Sequence, residues 1–229
     1  MFTHIETDTT HRNEHYSGLD FSGADLTECE FRYCHFIGTN FRAATLTGAI
    51  FERCQFNNAT GDEPADFSQA DLRGADFSFC NLTLVDFVRC RGYDLSFDHC
   101  QLQGADLAHA DFRMPFGGLR DEDLTAFKMV STNFSYGNLA HTNLRRCTLS
   151  YCRMVEACLD YCDLQSADLS SSDLSNIHAT GINLVGADLR HATFNNINPQ
   201  TVDLAGVILH QRQLEMLVAP MRIVVEPDP

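Results

Sequence analysis

Residues 65–79 read ADFSQADLRGADFSF, which is three turns of one five-residue rule. In each turn a small residue precedes Asp, a Phe or Leu follows, and two variable positions complete the unit. Large apolar side chains therefore recur every five residues, whereas one face of a helix repeats every 3.6 residues and one face of a strand every two. Ordinary helices and strands do not explain this period, so the sequence predicts a repeat architecture.

The five-residue spacing extends over most of the 229-residue chain. Large residues stand five apart over 16–56, again over 67–112 except at Gly92, and again from 134 to 209 except at Ala179 and Pro199. A small residue stands two positions before most of them, and both positions are predicted to face inward. Four such units form a coil of about 20 residues, and the coils of such a square solenoid stack about 4.8 Å apart.

This pattern is typical of pentapeptide repeats and predicts an all-β solenoid, a right-handed quadrilateral β-helix with two projecting loops. We expect a flexible leader over 1–14, the β-helix over 15–209, and a C-terminal helix and strand over 210–229. An open solenoid end exposes apolar core and unpaired backbone. The helix and strand are therefore predicted to cap this end, or to pair with a second copy through a two-fold interface.

Two interruptions break the period, at about 57–66 and 113–128. Leu124 and Met129 keep the downstream spacing, so the end of the second interruption is expected to lie on the coil. Inserted loops on a rigid scaffold often carry partner contacts, although a tolerated insertion is the alternative. The predicted partner-binding residues of the two loops are Asn58, Thr60, Gly61, Asp62, Glu63, Pro64, Met114, Pro115, Phe116, Gly117, Gly118, Leu119, Arg120, Asp121, Glu122 and Asp123.

The formal net charge of -15 argues against direct binding to nucleic acid or to an anionic membrane. Spread over a rod of on the order of 40 Å, it amounts to about one charge per 3 Å, against one per 1.7 Å for duplex DNA. Such a rod suits a basic partner, although charge that only maintains solubility is the alternative. The sequence has no run of eighteen apolar residues and no signal sequence, so we expect a soluble cytoplasmic protein.

Nine of the ten cysteines occupy the small inward position, and only Cys158 does not. Free Cys packs as a small buried hydrophobic residue, so we expect structural thiols without disulfides or zinc. The Asp residues form rows on the outside rather than a pair of carboxylates within one cleft, and no nucleophile or phosphate-binding motif is present. We therefore predict neither a cofactor, nor a metal, nor an enzymatic activity.

The arrangement resembles the Qnr-type quinolone-resistance proteins. The resemblance covers about 16–228 and rests on the repeats, on the order of the two loops, and on a tail with VDLAGV at 202–207 followed by a Gln- and Leu-containing helix and by VVEPD. It implies a DNA-mimicking rod that protects DNA gyrase and topoisomerase IV against quinolones, with both loops important for protection. It also implies a homodimer joined at the C-terminal ends. The residues predicted for this interface are Leu209, Leu214, Leu217, Val218, Ile223, Val224 and Val225.

Two other functions remain open from the sequence. One is a pentapeptide-repeat protein that regulates a topoisomerase or shields it from another toxin. The other is an interaction scaffold unrelated to topoisomerases. Inhibition and protection assays with several topoisomerase poisons would distinguish a regulator or a protector against another toxin from a quinolone-specific protector. Failure to bind purified gyrase would indicate an unrelated scaffold.

Overall fold

A computed structural model describes residues 5–114 and 124–218 of the chain. One side of the fold carries a parallel six-stranded sheet whose strands follow chain order, and a second, two-stranded sheet lies further along. The first sheet contains β1 (Thr10–Arg12), β2 (Glu30–Arg32), β3 (Ile50–Glu52), β4 (Asp76–Ser78), β5 (Leu95–Asp98) and β6 (Phe127–Val130). The second contains β7 (Asp173–Leu174) and β8 (Thr193–Phe194), and the described part of the chain ends in a 3-10 helix (Gln211–Gln213) and α1 (Leu214–Val218).

Each turn of the chain stacks on the next through parallel pairing of equivalent positions. Phe31 pairs with Phe51 at the usual separation of 20 residues. The remaining sides of the coil are joined by single parallel bridges with the same step, such as the bridge between Asp66 and Asp86. The predicted all-β solenoid, a right-handed quadrilateral β-helix, is confirmed.

The four sides of the coil are named here by the large residue that each contributes to the core. The first side carries Phe56, the second Phe67, the third Leu72 and the fourth Phe77, and in all other coils the equivalent residues stack above and below them. The pairing step changes in only two places within the described residues. It rises to 26 residues between Phe51 and Phe77, and to 32 residues between β5 and β6. The two interruptions therefore add six and twelve residues without changing the coil itself.

The interior of the tube is filled by stacked rings in the first half and mainly by Leu in the second. The rings of Phe31 and Phe51 lie 5.1 Å apart and nearly parallel, and those of Phe51 and Phe77 lie 4.7 Å apart. After Phe134 the buried large positions hold Leu or Met at every coil until Phe194. The same backbone therefore accepts two kinds of core.

Positions where the period weakens are compensated by the neighbouring small position. Gly92 stands where a large residue is expected, and Leu95, in the next small position, is buried beside it. A Cβ atom at Gly92 would lie 3.0 Å from the side chains of Leu95 and Phe112. Ala179 is likewise followed by buried Ile182. The volume of a coil is thus conserved although the individual residues are exchanged.

The cysteines confirm their predicted placement, since nine are buried and Cys158 is half-buried, and all ten are free. In addition to packing in the core, several of these thiols form hydrogen bonds with the backbone. The Cys80 thiol donates a hydrogen bond to the carbonyl of Phe51 at 3.3 Å and accepts one from the backbone N–H of Cys54 at 3.4 Å. In the next coil the Cys100 thiol donates to the carbonyl of Phe77. Cys thus links successive coils through side-chain hydrogen bonds.

The column of inward thiols on the first side continues as hydroxyl groups in the second half. The backbone N–H of Cys100 donates to Thr132 Oγ1 at 3.2 Å, and that of Cys152 donates to Ser172 Oγ at 2.9 Å. Ser172 Oγ in turn donates to the carbonyl of Leu149. Cys, Ser and Thr are therefore exchangeable in this column because each offers one donor and one acceptor.

The prediction of a flexible leader over 1–14 is wrong for the residues that the structure describes. β1 pairs in parallel with β2, which makes it the first strand of the sheet. His11 occupies the large inward position, stacks on Phe31 at 5.1 Å, and shares a hydrogen bond of 2.8 Å with the Tyr16 hydroxyl. Burial lowers the pKa of His11, which the charge of Glu14 partly offsets. Because His11 replaces the usual Phe or Leu, a search for apolar residues at a spacing of five does not detect this first coil.

The C-terminal end is closed by the predicted helix and by one polar side chain. Gln213 is buried, and its Nε2 atom donates hydrogen bonds to the carbonyls of Leu189 and Ala192, at 2.7 and 2.8 Å. Its Oε1 atom accepts the backbone N–H of His210 at 2.8 Å. Gln213 therefore satisfies carbonyl groups of the last coil that would otherwise face the open end. The predicted strand at 222–226 lies outside the described residues.

Candidate functional site

The first loop is a fixed structure rather than an open excursion. Asn57 is buried at its base, where its Nδ2 atom donates to the carbonyl of Thr83 at 2.7 Å. Its Oδ1 atom accepts the backbone N–H groups of Asn58, at 2.8 Å, and of Glu63, at 3.3 Å. One side chain thus holds both ends of the loop against the following coil.

The tip of the first loop is organised by Asn58. Its Oδ1 atom accepts a hydrogen bond from the Thr60 hydroxyl at 2.9 Å and from the backbone N–H of Asp62 at 3.0 Å. The carbonyl of Glu63 accepts the backbone N–H of Gly38, which joins the loop to the preceding coil. Of the six predicted contact residues, Thr60, Asp62 and Glu63 are exposed, whereas Asn58, Gly61 and Pro64 are half-buried. The loop therefore presents two carboxylates and a hydroxyl on a rigid support.

The second loop leaves the coil through a short antiparallel stem. Arg113 forms an antiparallel bridge with Thr125, and the Met114 N–H donates to the Leu124 carbonyl at 2.8 Å. Met114 and Leu124 are both 44% exposed, so Leu124 does not occupy the core position that its spacing predicts. Phe127 is buried instead, within β6.

The predicted range of 113–128 for the second loop is therefore too long. Residues 127 and 128 belong to the coil, because two consecutive pairs of β5 and β6 include them. The remaining predicted contact residues lie outside the described part of the chain, namely Pro115, Phe116, Gly117, Gly118, Leu119, Arg120, Asp121, Glu122 and Asp123.

The two loops leave the rod at different corners. The first lies between Phe56 on the first side and Phe67 on the second, whereas the second lies between Phe112 on the third side and Met129 on the fourth. These are diagonally opposite corners of the four-sided coil. The loops are also two and a half coils apart along the rod, or about 12 Å at the usual spacing. The structure therefore does not bring the two predicted contact segments together into one patch.

The predicted rows of Asp on the outside are present, and they differ in how they are neutralised. On the second side, Asp66, Asp86 and Asp106 stack in successive coils. In each of them, Oδ1 accepts a hydrogen bond of 2.7 to 2.8 Å from the backbone N–H two residues later. Burial raises the pKa of Asp86, and the charges of Asp66 and Asp106 raise it further. Three like charges therefore stand in one row on this side and repel one another.

The third side has carboxylates with opposite surroundings. Asp71 is 4% exposed and accepts ion-pair hydrogen bonds from Arg73 at 2.6 Å and Arg91 at 2.8 Å. Burial alone would raise the pKa of Asp71, but the two Arg groups lower it overall. The second side therefore stacks three Asp residues, whereas the third side at this level places Arg91 between Asp71 and Asp111 and pairs it with Asp71.

The C-terminal residues predicted for a dimer interface divide into two groups. Leu217 is buried against the core of its own chain, while Leu214 is 51% exposed. Leu209 and Val218 are half-buried. Ile223, Val224 and Val225 lie outside the described residues. Leu217 therefore closes the last coil, and Leu214 is the described apolar side chain of this set that remains accessible.

Comparison with protein families matches pentapeptide repeats over residues 24–60, 65–91, 128–165, 162–198 and 182–214. The chain belongs to the pentapeptide-repeat family. Among solved structures it is similar to full-length QnrB1, a plasmid-mediated fluoroquinolone resistance protein, with a TM-score of 0.85 and 27% identity over 93% of this chain and 100% of that one. It is also similar to a trypsin-treated variant of QnrB1, with a TM-score of 0.71 and 26% identity over 96% and 99% of the two chains.

The repeat matches and the similarity to QnrB1 together define a Qnr-like pentapeptide-repeat protein. A search of curated protein sequences gives no significant match. In the described part of the chain there is no helix with the length and hydrophobicity of a membrane span.

Proposed function

We propose that the protein binds the DNA-binding surface of type II topoisomerases, DNA gyrase and topoisomerase IV, and protects them from quinolones without catalysing a reaction. The observation that carries the proposal is the similarity to QnrB1 over 93% of this chain and 100% of that one. A match to pentapeptide repeats alone would support only a scaffold, whereas a similarity that covers 93% of this chain and 100% of QnrB1 supports a shared role.

The electrostatics of the rod support a basic partner. The second side carries the stacked carboxylates of Asp66, Asp86 and Asp106, and the first loop at the adjoining corner adds Asp62 and Glu63. A DNA-binding surface supplies Lys and Arg groups that would neutralise such a row, as they do with phosphates. Complementary charge speeds encounter and sets orientation more than it sets final affinity. The loops would then register the rod against the enzyme.

The principal experiment is supercoiling by purified gyrase at a fixed ciprofloxacin concentration, with and without the protein. Rescue of supercoiling is expected. A parallel decatenation assay with topoisomerase IV tests the second enzyme. Absence of both rescue and binding to either enzyme would favour the scaffold alternative, and binding without rescue would favour a regulator or a protector against another toxin.

Each loop can be removed without changing the coil. Deletion of 59–64 joins Asn58 to Ala65 and restores the spacing of five, with Asn58 at the corner position where Asn tolerates a left-handed backbone. Deletion of 115–126, combined with Met114→Asn, does the same for the second loop. We expect both proteins to stay folded by circular dichroism and to lose rescue even at low salt.

A variant without the Asp row distinguishes long-range electrostatic attraction of the enzyme from positioning of the rod by the loops. Asp66→Asn, Asp86→Asn and Asp106→Asn together keep the backbone hydrogen bonds through the amide oxygen but remove the negative row. We expect weaker binding with a smaller dependence on salt, and partial rescue at high protein concentration. This variant could instead lose rescue completely while the loop deletions keep it. In that case the second side, rather than the loops, positions the rod on the enzyme.

The proposal includes a homodimer joined at the C-terminal ends. Leu214 is exposed beside the closed end of the coil, and its replacement tests the interface without opening the core. We expect Leu214→Glu to yield a folded monomer by light scattering. Leu217→Glu is the contrasting variant, because it introduces a charge at a buried position and is expected to unfold the end of the rod.

A further inference from the structure

Two histidines meet at the junction between the last coils and the C-terminal helix. The Nε2 atoms of His191 and His210 lie 2.9 Å apart. His191 stands at a corner of the coil that also contributes Leu189 and Ala192, and His210 directly precedes the 3-10 helix. A groove with a volume of about 480 Å³ adjoins the pair and is lined by His191, His210, Gln211, Arg212 and Glu215.

The geometry of this pair differs from the other His–His contacts of the rod. His15 and His35 stack with their rings 10° from parallel and their centroids 4.5 Å apart. His109 and His141 stack at 5° and 4.8 Å. The rings of His191 and His210 are instead inclined by 60°, and only this pair has a hydrogen bond between ring nitrogens among the described residues.

The two rings do not face each other head-on across this hydrogen bond. A head-on hydrogen bond of 2.9 Å between two Nε2 atoms would separate the ring centroids by about 5 Å. The observed separation is 4.2 Å, so the ring axes are inclined to the line that joins the nitrogens. An ion beside that line could accept a lone pair from both rings. Imidazole nitrogen is the commonest protein ligand of divalent transition metals.

The spacing also indicates which ions fit. At the metal–nitrogen bond length of about 2.0–2.1 Å that imidazole ligands adopt, nitrogens 2.9 Å apart subtend close to a right angle at the metal. A right angle is the cis angle of square-planar and octahedral coordination, whereas tetrahedral zinc requires a wider one. We propose that His191 and His210 bind a divalent ion of the Cu²⁺ or Ni²⁺ type, which would join the last coils to the C-terminal helix.

The remaining coordination positions belong to water, with Glu215 as the nearest anionic group lining the groove. No set of three or more His, Cys, Asp or Glu side chains in the described ranges is arranged to hold a metal. The pair is therefore a two-ligand site of moderate affinity rather than a structural metal centre. Asp188 also lies near His210, but it is paired with Arg190 at 2.5 Å, and the Arg190 hydrogen bond is the main cause that lowers the pKa of Asp188.

Arg212 opposes metal binding and supplies a sharp test. Its guanidinium lies 3.3 Å from His191 Nδ1, which makes Nδ1 an acceptor and leaves the proton of the neutral ring on Nε2. Coordination through Nε2 requires that this proton move to Nδ1, where it would face the Arg212 N–H. Removal of the guanidinium therefore favours the binding tautomer and also removes a positive charge beside the ion.

The experiment uses full-length protein without an affinity tag and Ni²⁺ as the probe, because Ni²⁺ does not oxidise thiols. Calorimetry counts the bound ions, and thermal unfolding reports stabilisation of the native state by binding. Electron paramagnetic resonance with Cu²⁺ then detects hyperfine coupling to imidazole nitrogens. We expect His191→Gln and His210→Gln each to lose one equivalent of metal and its thermal shift, with unchanged circular dichroism.

The matched control is the double variant His109→Gln/His141→Gln, which removes a stacked pair with parallel rings from the same rod. It should retain the equivalent that the His191 and His210 variants lose. Arg212→Gln should bind Ni²⁺ several-fold more tightly, and binding should disappear on acidification because both rings must be unprotonated. Equal binding by wild type and the His191→Gln variant, or loss of the same equivalent in the control, would overturn the proposal.

Discussion

The first and second halves of the rod have the same backbone and different fillings. Before the second loop the core is a ladder of Phe rings with thiols in the small positions of the first side, whereas after it the core is mainly Leu, with Ser and Thr joining the column. The halves also differ at their ends, since His11 and Tyr16 lie in the first coil and Gln213 closes the last. Each coil therefore needs a constant core volume, and the inward column on its first side needs one hydrogen-bond donor and one acceptor. Neither requires a particular residue.

The largest effect is expected from a charge inside either half. Phe77 is fully buried and stacked on Phe51, so Phe77→Asp would leave an unpaired carboxylate among the apolar side chains of the core. We expect a loss of more than about 4 kcal/mol and an unfolded protein by circular dichroism. Leu149→Asp is the equivalent change on the same side in the second half and should be as severe. A folded Phe77→Asp protein would contradict the solenoid packing.

The next effect concerns the end of the second half. Gln213→Ala would remove the donors to Leu189 and Ala192 and the acceptor of the His210 N–H. We expect a loss of about 2–3 kcal/mol, because buried polar groups would be left without partners. Hydrogen exchange should show the loss in the last coils first, with the Phe half unchanged. Uniform exchange along the rod would mean that the two ends are not independent.

Exchange of side chains between the halves tests the column of the first side. Cys100→Ala would remove the donor to the Phe77 carbonyl and the acceptor of the Cys80 N–H. We expect a loss of about 1–2 kcal/mol in chemical denaturation. Cys100→Ser should lose less, since Ser172 makes both kinds of hydrogen bond at the equivalent position. If Ala is tolerated as well as Ser, the thiols act by packing alone.

The smallest effect compares two carboxylates of the first half. The pKa of Asp86 is raised above its ordinary value of 3.8, so its ionised form is disfavoured in the folded state and the free energy of unfolding falls as pH rises through this window. Asp86→Asn should therefore stabilise the protein at pH 7, by up to about 0.5 kcal/mol. The gain should vanish below the ordinary pKa of Asp.

Asp71→Asn should have the opposite sign. The folded-state pKa of Asp71 is lowered, so its contribution is complete above the ordinary value of 3.8 and is lost as pH falls through the folded pKa. The variant should be less stable than wild type at pH 7, and the difference should shrink in acid. Denaturation of both variants at pH 7 and pH 3 distinguishes the paired side from the unpaired one.

Most of the fold follows from the period of five, because one short rule specifies both the inward positions and the corners. Met129 and the nine inward cysteines lie where the spacing predicts. His11 was missed because a polar ring fills a core position when Tyr16 supplies a hydrogen bond. Leu124 was predicted to lie in the core but is exposed on the loop stem, because spacing alone does not distinguish these two positions.

The candidate site was less accessible to sequence reasoning. The two loops are visible as breaks of phase, but their position at opposite corners depends on counting sides of the coil through both insertions. Asn57 and Gln213 carry no apolar signal, and their roles depend on carbonyl groups of Thr83 and Leu189 that lie far away in the chain. Paired and unpaired Asp rows look the same until the coils are stacked.

The constant pairing step has a consequence for how the chain folds. Each coil rests on residues only 20 positions earlier, and the two loops raise this to 26 and 32. The entropy of closing a loop rises by only about 0.6 kcal/mol for each doubling of its length, so even the longer insertion adds little to the barrier for the next coil. Contacts that are close in the chain favour rapid folding. The rod can therefore grow in one direction from β1 as the chain is synthesised, with each completed coil serving as the template for its successor.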